Sequence, residues 1–224
     1  MRCLFLDLAS HHGLLACIDD RSVVASREID HRIGDHELVP LFENTLKEAG
    51  WKSEDLTQVA CVIGPGGFMS LRVAVAFANT LIHQLQIPGV GVHLSDVYRA
   101  RACHGELCRT MTHKPVSSFD RAQDDTFLWL HSTKKHELFV RGFGEWAKVW
   151  PEATHITLEE FTGQSTQYTV RSWTGELIPE HESLVREKGF LPLELLSLES
   201  VLPALLQAQA YATKLLEPWY GREG

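Results

Sequence analysis

The sequence lacks the features that mark membrane and secreted proteins and proteins that grip nucleic acid. No uninterrupted apolar run approaches 18 residues, and the N-terminal run, interrupted by Asp7, is too short for a signal peptide. Lysine and arginine number 21 against 29 aspartates and glutamates, for a formal net charge of −8. Because nucleic-acid binding relies on clustered basic residues, this balance disfavours direct binding. We expect a cytoplasmic protein without a membrane anchor.

Motifs of the common enzyme classes are also missing. The sequence has no G-x-S-x-G elbow and no Walker A loop, and none of its twelve histidines has another three or four residues away. No aspartate follows Asp125, whereas phosphoryl transfer relies on carboxylates that hold Mg²⁺. Only glutamates, such as Glu137 and Glu176, could replace them in the second half. We therefore predict a protein without catalytic activity of its own.

The five cysteines do not form a disulfide framework. Cys3, Cys17 and Cys61 lie in apolar runs and are predicted to be small buried side chains. A further group of side chains that could bind a metal consists of Cys103, His104, Cys108 and His113. Its spacing lacks the paired C-x-x-C form of structural zinc sites, so we predict no metal site.

The chain is organised around the turn Gly64-Pro65-Gly66-Gly67, which ends a short apolar run and is followed at once by a helical pattern. Glycine permits positive φ, and Pro65 fixes its own φ, so a sharp strand-to-helix turn is expected. A helix start attracts anions, and Asp7 ends the first predicted strand. Asp7, Gly64, Gly66 and Gly67 are therefore candidates for a vestigial anion or nucleotide site. The alternative, a tight turn and a strand-end residue with structural roles, is favoured.

The apolar periodicity predicts an α/β protein with two lobes. Strands over 3–9, 14–18 and 23–29 are joined by tight turns and followed by a helix over 35–49. A strand over 58–63, the helix over 68–85 and a strand over 90–93 complete a βββαβαβ lobe spanning 1–100.

The smaller lobe, 101–224, is less regular. After a helix over 94–102, the segment 103–125 has almost no apolar periodicity and is predicted to be an irregular insertion. Further predictions for this lobe are a hairpin over 127–132 and 137–143, a helix over 157–161 capped by Thr157, a strand over 168–173 and a last helix over 200–216.

Five segments, in order along the chain, resemble motifs of one superfamily and one family. Residues 4–10 resemble the I-x-D-T-A/S opening of the actin-like, sugar-kinase and Hsp70 superfamily. Residues 36–40 are similar to the H-S-E-x-L-L-P helix start of the TsaB (YeaZ) family, and residues 64–72 to its signature G-P-G-S-F-T-G-L-R. Residues 136–139 resemble the end of its D-A-R-x-x-E-V-Y strand, and residues 218–222 its closing P-x-Y-L-R.

This resemblance implies a two-lobed actin-like (ASKHA, ribonuclease H-like) α/β fold, with a mixed sheet and helices. It further implies a non-catalytic scaffold partner of TsaD, the enzyme that attaches threonylcarbamoyl to the tRNA adenosine beside the anticodon. No cofactor is implied. A TsaE-like ATPase would join the TsaD complex, tRNA would be contacted only indirectly, and a homodimer could form when the chain is alone. Where TsaD has a metal-binding histidine pair four residues apart, this chain has His36 and Pro40.

The resemblance also implies where a partner would bind. Family dimers pack the two first-lobe helices, here 35–49 and 68–85, as a four-helix bundle. The residues expected at this interface are His36, Leu38, Leu41, Phe42, Thr45, Phe68, Met69, Arg72, Val75, Ala76 and Asn79.

The chain departs from the family signature at several positions. Gly67, Met69 and Ser70 replace its Ser, Thr and Gly, and Leu8 replaces the Thr after Asp7. These changes weaken the case for phosphate binding and leave the helix-packing prediction intact. Two alternatives stay open: an active ATP-dependent kinase or ATPase of the same superfamily, and a stand-alone homodimer with another role.

Overall fold

The computed structural model describes residues 1–30, 33, 35–102, 126–165 and 169–221 of the 224-residue chain. These residues form two compact units. The first contains Met1–Val97 and Ser197–Tyr220, and the second contains Tyr98–Leu196 and Gly221. The sequence-based boundary near residue 100 leaves Ser197–Tyr220 in the second lobe, whereas its contacts lie in the first unit. The predicted insertion 103–125 lies outside the described residues.

The sheet of the first unit is mixed. Its strands are β1 Cys3–Asp7, β2 Gly13–Ile18, β3 Val23–Ile29, β4 Gln58–Gly64 and β5 Gly89–His93, in the spatial order β3-β2-β1-β4-β5. The first three strands pair antiparallel, and β1, β4 and β5 run parallel. Every residue of β1 is buried, as its continuous apolar run and central place require. The predicted βββαβαβ succession is observed.

The helices of this unit are α1 Asp35–Ala49, α2 Phe68–Leu85 and α6 Leu198–Gln207, and α3 Leu94–Ala102 begins in it. Helix α1 ends in a Schellman motif, in which Gly50 has a φ of 69° and the Trp51 N–H donates to the Leu46 carbonyl over 2.9 Å. Trp51 also packs against the core that contains Leu46. Gly50 therefore ends this helix at the predicted residue, Ala49.

The second unit also has a mixed sheet with helices. Its strands are β6 Phe127–Lys134, β7 Glu137–Phe143, β8 Thr154–Ile156, β9 Ser172–Glu176 and β10 Leu191–Pro192, in the order β10-β9-β6-β7-β8. Helices α4 Leu158–Gln164 and α5 Pro179–Glu187 complete it. Its core is aromatic, with the rings of Trp146 and Trp150 stacked at 5.8 Å. The predicted β6–β7 hairpin is confirmed.

The start of α4 follows the predicted capping chemistry. The Thr157 hydroxyl accepts from the Glu160 N–H, and the Glu160 carboxylate accepts from the Thr157 N–H over 2.7 Å. Two bonds from Thr157 to this carboxylate, the backbone bond first, hold the pKa of Glu160 below its ordinary value. The exchange satisfies donors that every helix start leaves open.

Five elements differ from the predictions. The strand predicted over 168–173 is β9, at Ser172–Glu176, and Tyr168 lies outside the described residues. The last helix ends at Gln207 rather than near Leu216. It ends because the chain turns to the edge of β5, where Ala212 and Gly89 exchange backbone hydrogen bonds of 2.8 and 3.0 Å. Strands β8 and β10 and helix α5 were not predicted.

Candidate partner-binding face of the first unit

Asp7, at the end of β1, is buried and bonded to the turn that follows it. Its carboxylate accepts hydrogen bonds from the Ala9 N–H over 2.8 Å and the Ser10 N–H over 3.1 Å, and a third from the Ser10 hydroxyl. Both carboxylate oxygens therefore hold the β1–β2 turn. The charge of Asp7, together with burial, raises the pKa of the Cys61 thiol on β4, with burial the larger cause.

The glycine turn before α2 is packed against the protein itself. Gly64 has a φ of 135°, and a Cβ added there would lie 2.2 Å from the Trp219 carbonyl oxygen. A Cβ on Gly66 would lie 2.7 Å from both the Cα and the carbonyl oxygen of Ala9. These two positions require glycine because neighbouring backbone approaches too closely for any side chain.

Gly67 has more room and begins the helix. Gly67 is the N-cap of α2 and, lacking a side chain, makes no side-chain capping bond. A Cβ added to it would meet nothing closer than the Ser70 Oγ at 3.5 Å. Its carbonyl accepts from the Leu71 N–H over 2.9 Å. The four candidate residues of the anion site thus lie close together. Asp7, Gly64 and Gly66 are in contact with other residues of this chain.

The expected interface residues divide by exposure into two main groups. Four are buried in the core of the first unit, where a partner on the surface would not touch them: Leu38, Phe42, Thr45 and Val75. Phe42 packs edge-to-face on Phe77, which joins α1 to α2. Five are exposed, namely His36, Phe68, Met69, Arg72 and Ala76. Leu41 is half-buried, so it presents part of its surface.

Asn79 contacts the C-terminal segment instead of facing outward. Its side-chain amide donates to the Leu216 carbonyl over 3.0 Å and accepts from the Leu216 N–H over 2.8 Å. Both polar atoms of the amide are used within the unit, and a direct role of Asn79 at an interface stays a prediction. The contact joins residues 137 positions apart in sequence, which helical periodicity alone does not indicate.

The exposed part of α2 forms an aromatic and cationic surface. The Phe68 side chain is 54% exposed, and Met69 is 47% exposed. The Phe68 ring lies 5.1 Å from the ring of Tyr220. The Arg72 guanidinium lies 5.3 Å from the centre of the Phe68 ring, above its face. Ala76 continues the same row one turn further along the helix. We call Phe68, Met69, Arg72, Ala76 and Tyr220 the Phe68 patch.

Two exposed residues of the first unit were not among the expected interface residues. Tyr220 is 38% exposed and Val39, on α1, is 47% exposed. Val39 could have been found from the α1 helical pattern, because its neighbours Leu38 and Leu41 mark the buried side. Tyr220 could not, because only the fold brings it to α2. His36 is exposed, with its Nε2 atom 3.7 Å from a carboxylate oxygen of Glu37.

Two statements about membrane spans and metal groups hold for the residues that the structure describes. In the part of the chain that the structure describes, no helix is long and apolar enough to cross a bilayer. Among the same residues, no three His, Cys, Asp or Glu side chains are grouped as a metal site. The cluster of Cys103, His104, Cys108 and His113 lies outside the described ranges.

A protein-family model matches this first unit and part of the second. The model described as "TsaD: tRNA N6-adenosine threonylcarbamoyltransferase" matches residues 28–140, just over half of the chain. The chain belongs to the TsaD family. The matched range contains α1, the glycine turn and α2.

Curated relatives agree with this assignment. The chain is 21% identical over 164 residues to the tRNA threonylcarbamoyladenosine biosynthesis protein TsaB of Escherichia coli K12, covering 73% of the chain and 69% of that protein. It is 37% identical over 70 residues to the tRNA N6-adenosine threonylcarbamoyltransferase of Polynucleobacter asymbioticus, a match that covers 31% of the chain and 18% of that enzyme. The predicted TsaB (YeaZ) kinship is confirmed.

Two solved structures share the fold. YeaZ from Pseudomonas aeruginosa has a TM-score of 0.61 at 17% identity, covering 92% of this chain and 91% of that one. A protein from the same organism with similarity to peptidase YeaZ has a TM-score of 0.67 at 16% identity and covers 99% of both chains. The predicted α/β fold class, with mixed sheets and helices, is confirmed.

Proposed function

We propose that the chain takes part in threonylcarbamoyl modification of tRNA as a non-catalytic scaffold for a TsaD-like enzyme. The observation that carries this proposal is the Phe68 patch, an exposed surface whose α2 residues lie within the range matched by the TsaD model. Exposed aromatic and arginine side chains are typical of the strongest contacts in protein interfaces. The exposed residues of α1, His36 and Val39, extend the proposed interface.

The scaffold would act by stabilising the competent conformation of its partner. A scaffold shifts the conformational equilibrium of its partner only to the extent that it binds the partner's two conformations with different affinities. The difference in docking energy at the Phe68 patch between the two conformations of the TsaD-like enzyme is therefore the quantity that would activate it. A TsaE-like ATPase would join this complex, and tRNA would be contacted only through the partner. The cytoplasmic location stays a prediction.

The contacts at the glycine turn support a non-catalytic role. At this turn the backbone of Ala9 lies against Gly66 and the Trp219 carbonyl lies against Gly64. The Asp7 carboxylate, which could otherwise orient a cation, accepts three hydrogen bonds from its own turn. These contacts oppose the alternative of an active ATP-dependent kinase or ATPase.

Co-purification with the TsaD-like protein of the same organism tests the proposal. Size-exclusion chromatography with light scattering should show a stable one-to-one complex for the wild-type chain. Ala76→Glu places a charge in the proposed interface and should abolish the complex while the thermal unfolding midpoint of the isolated chain stays within a few degrees of wild type.

Gln164→Glu is the matched control, since it adds a negative charge at an exposed helical position of the second unit. It should leave the complex intact. A wild-type chain that stays alone in the presence of the partner, as a homodimer or monomer, would refute the scaffold role. Calorimetric binding of a nucleotide with a Mg²⁺ requirement would instead favour the kinase alternative.

A further inference from the structure

The segment from Ala212 to Tyr220, which we call the strap, is fixed to the first unit at three successive points. Ala212 exchanges backbone hydrogen bonds with Gly89 at the edge of β5. Leu216 is held by both polar atoms of the Asn79 amide on α2. The Trp219 N–H donates to the Ile63 carbonyl over 2.7 Å, beside the glycine turn. The strap is therefore a defined surface element despite its lack of helix or strand.

The strap has two exposed apolar side chains, one of which contacts the exposed part of α2. Leu215 is 57% exposed, between the anchor points at Ala212 and Leu216, and Tyr220 is 38% exposed. The Tyr220 ring contacts the exposed ring of Phe68. The Trp219 ring beside it is used internally, in an edge-on contact at 4.6 Å with His93. Of these two neighbouring aromatics, Tyr220 is the one that faces outward.

The charge of the Phe68 patch indicates the chemistry of its partner. Within the described residues no carboxylate pairs with Arg72, although acidic residues outnumber basic ones in the chain. Its guanidinium lies over an exposed ring, so it is available to a carboxylate at the edge of an apolar partner surface. The strap itself lies outside the matched residues 28–140, so the TsaD match does not account for it.

We propose that the strap is part of the docking face for the TsaD-like partner, with Tyr220 as a direct contact and Asn79 as a positioning residue that acts through the strap. This inference rests on the proposed function, because its occupant is the same partner. The strap surface is continuous with the exposed row of α2 through the Phe68–Tyr220 contact. The partner would bring an apolar surface with a carboxylate near Arg72.

The first test is Tyr220→Ala, measured as the dissociation constant for the TsaD-like partner by calorimetry with the full chain. Removal of a central aromatic contact should weaken binding about tenfold or more. The control is Val24→Ala. Val24 lies on β3, at the opposite edge of the sheet from β5, and its exposed fraction of 39% is similar to the 38% of Tyr220. It should change the affinity less than about twofold.

The second test asks whether Asn79 acts through Tyr220. Asn79→Ala removes both bonds to Leu216, so backbone hydrogen exchange at Leu216 should accelerate and partner affinity should fall. In a double-mutant cycle, Asn79→Ala with Tyr220→Ala should bind no more weakly than Tyr220→Ala alone, because the positioned contact is already absent. Additive losses would contradict the positioning role.

The outcomes separate this inference from the proposed function. If Ala76→Glu abolishes the complex while Tyr220→Ala binds like wild type, the strap is not part of the interface and the scaffold role stands. If the wild-type chain forms no complex with the partner, both proposals are wrong. Loss of affinity in Tyr220→Ala with the control unchanged and the unfolding midpoint preserved supports the strap.

Discussion

At the scale of single residues, the three glycines of the turn before α2 have different surroundings. Gly64 and Gly66 are in contact with the backbone of Trp219 and Ala9, whereas Gly67 faces open space near Ser70. The family signature has Ser at the position of Gly67. That difference fits the structure, because only Gly67 has room for a side chain.

Gly66→Ala should lower the free energy of unfolding by about 1–3 kcal/mol, because its Cβ would overlap the backbone of Ala9. Gly67→Ala is the matched control and should cost less than about 1 kcal/mol, since Ala is only a weaker N-cap. Urea unfolding of both variants, followed by circular dichroism, measures the difference. Equal losses would mean that the close approach at Ala9 is not what requires glycine at this turn.

At the scale of elements, α2 has one face in the core and one at the surface, and neighbouring residues fall on opposite sides. Val75 is 4% exposed, whereas Ala76 is exposed. The family resemblance implied both as interface residues, and helical periodicity could not separate them, because it defines an apolar face without showing what covers it. The position of the sheet under α2 determines which of the two residues is buried.

Val75→Glu should therefore destabilise the protein by more than about 3 kcal/mol, because it buries an unpaired charge. Ala76→Glu, one residue further, should leave the free energy of unfolding within about 0.5 kcal/mol of wild type. Thermal and urea unfolding of the isolated chain compare them directly. A Val75→Glu protein as stable as wild type would show that this face of α2 is not packed in the core.

The elements that could be predicted from the sequence are those fixed by local signals. The buried strand β1, the Gly50 stop of α1 and the Thr157 cap of α4 all depend on residues close in sequence. The first part of the strap, as far as Leu216, was predicted as the end of the last helix because Ala212 and Leu216 have helical spacing. Its real conformation depends on Gly89 and Asn79, more than a hundred residues away, and no local pattern contains that information.

The candidate site divides in the same way. The glycine turn and the exposed row Phe68, Arg72 and Ala76 were found from sequence, because they lie on one helix start and one helical row. The inclusion of Tyr220 and the use of Asn79 within the unit could not be found, since both follow from how the C-terminal segment returns to the first unit.

At the scale of the whole molecule, two mixed sheets and the match to the TsaD family describe an α/β protein whose own backbone lies against Gly64 and Gly66 of the glycine turn. In the proposed scaffold role, the protein acts on its partner by binding alone. Under this assignment, the surface of α2 and the strap determines activity in the tRNA modification, and the turn contributes stability.

The most direct measurement is a reconstituted transfer of threonylcarbamoyl to tRNA by the TsaD-like partner, quantified by mass spectrometry of the digested nucleosides. With saturating wild-type chain or Gln164→Glu, the yield should rise about tenfold or more over the partner alone, as expected for coupling through binding. Ala76→Glu should give the yield of the partner alone. Full stimulation by Ala76→Glu, or a yield that does not depend on the chain, would contradict the scaffold account.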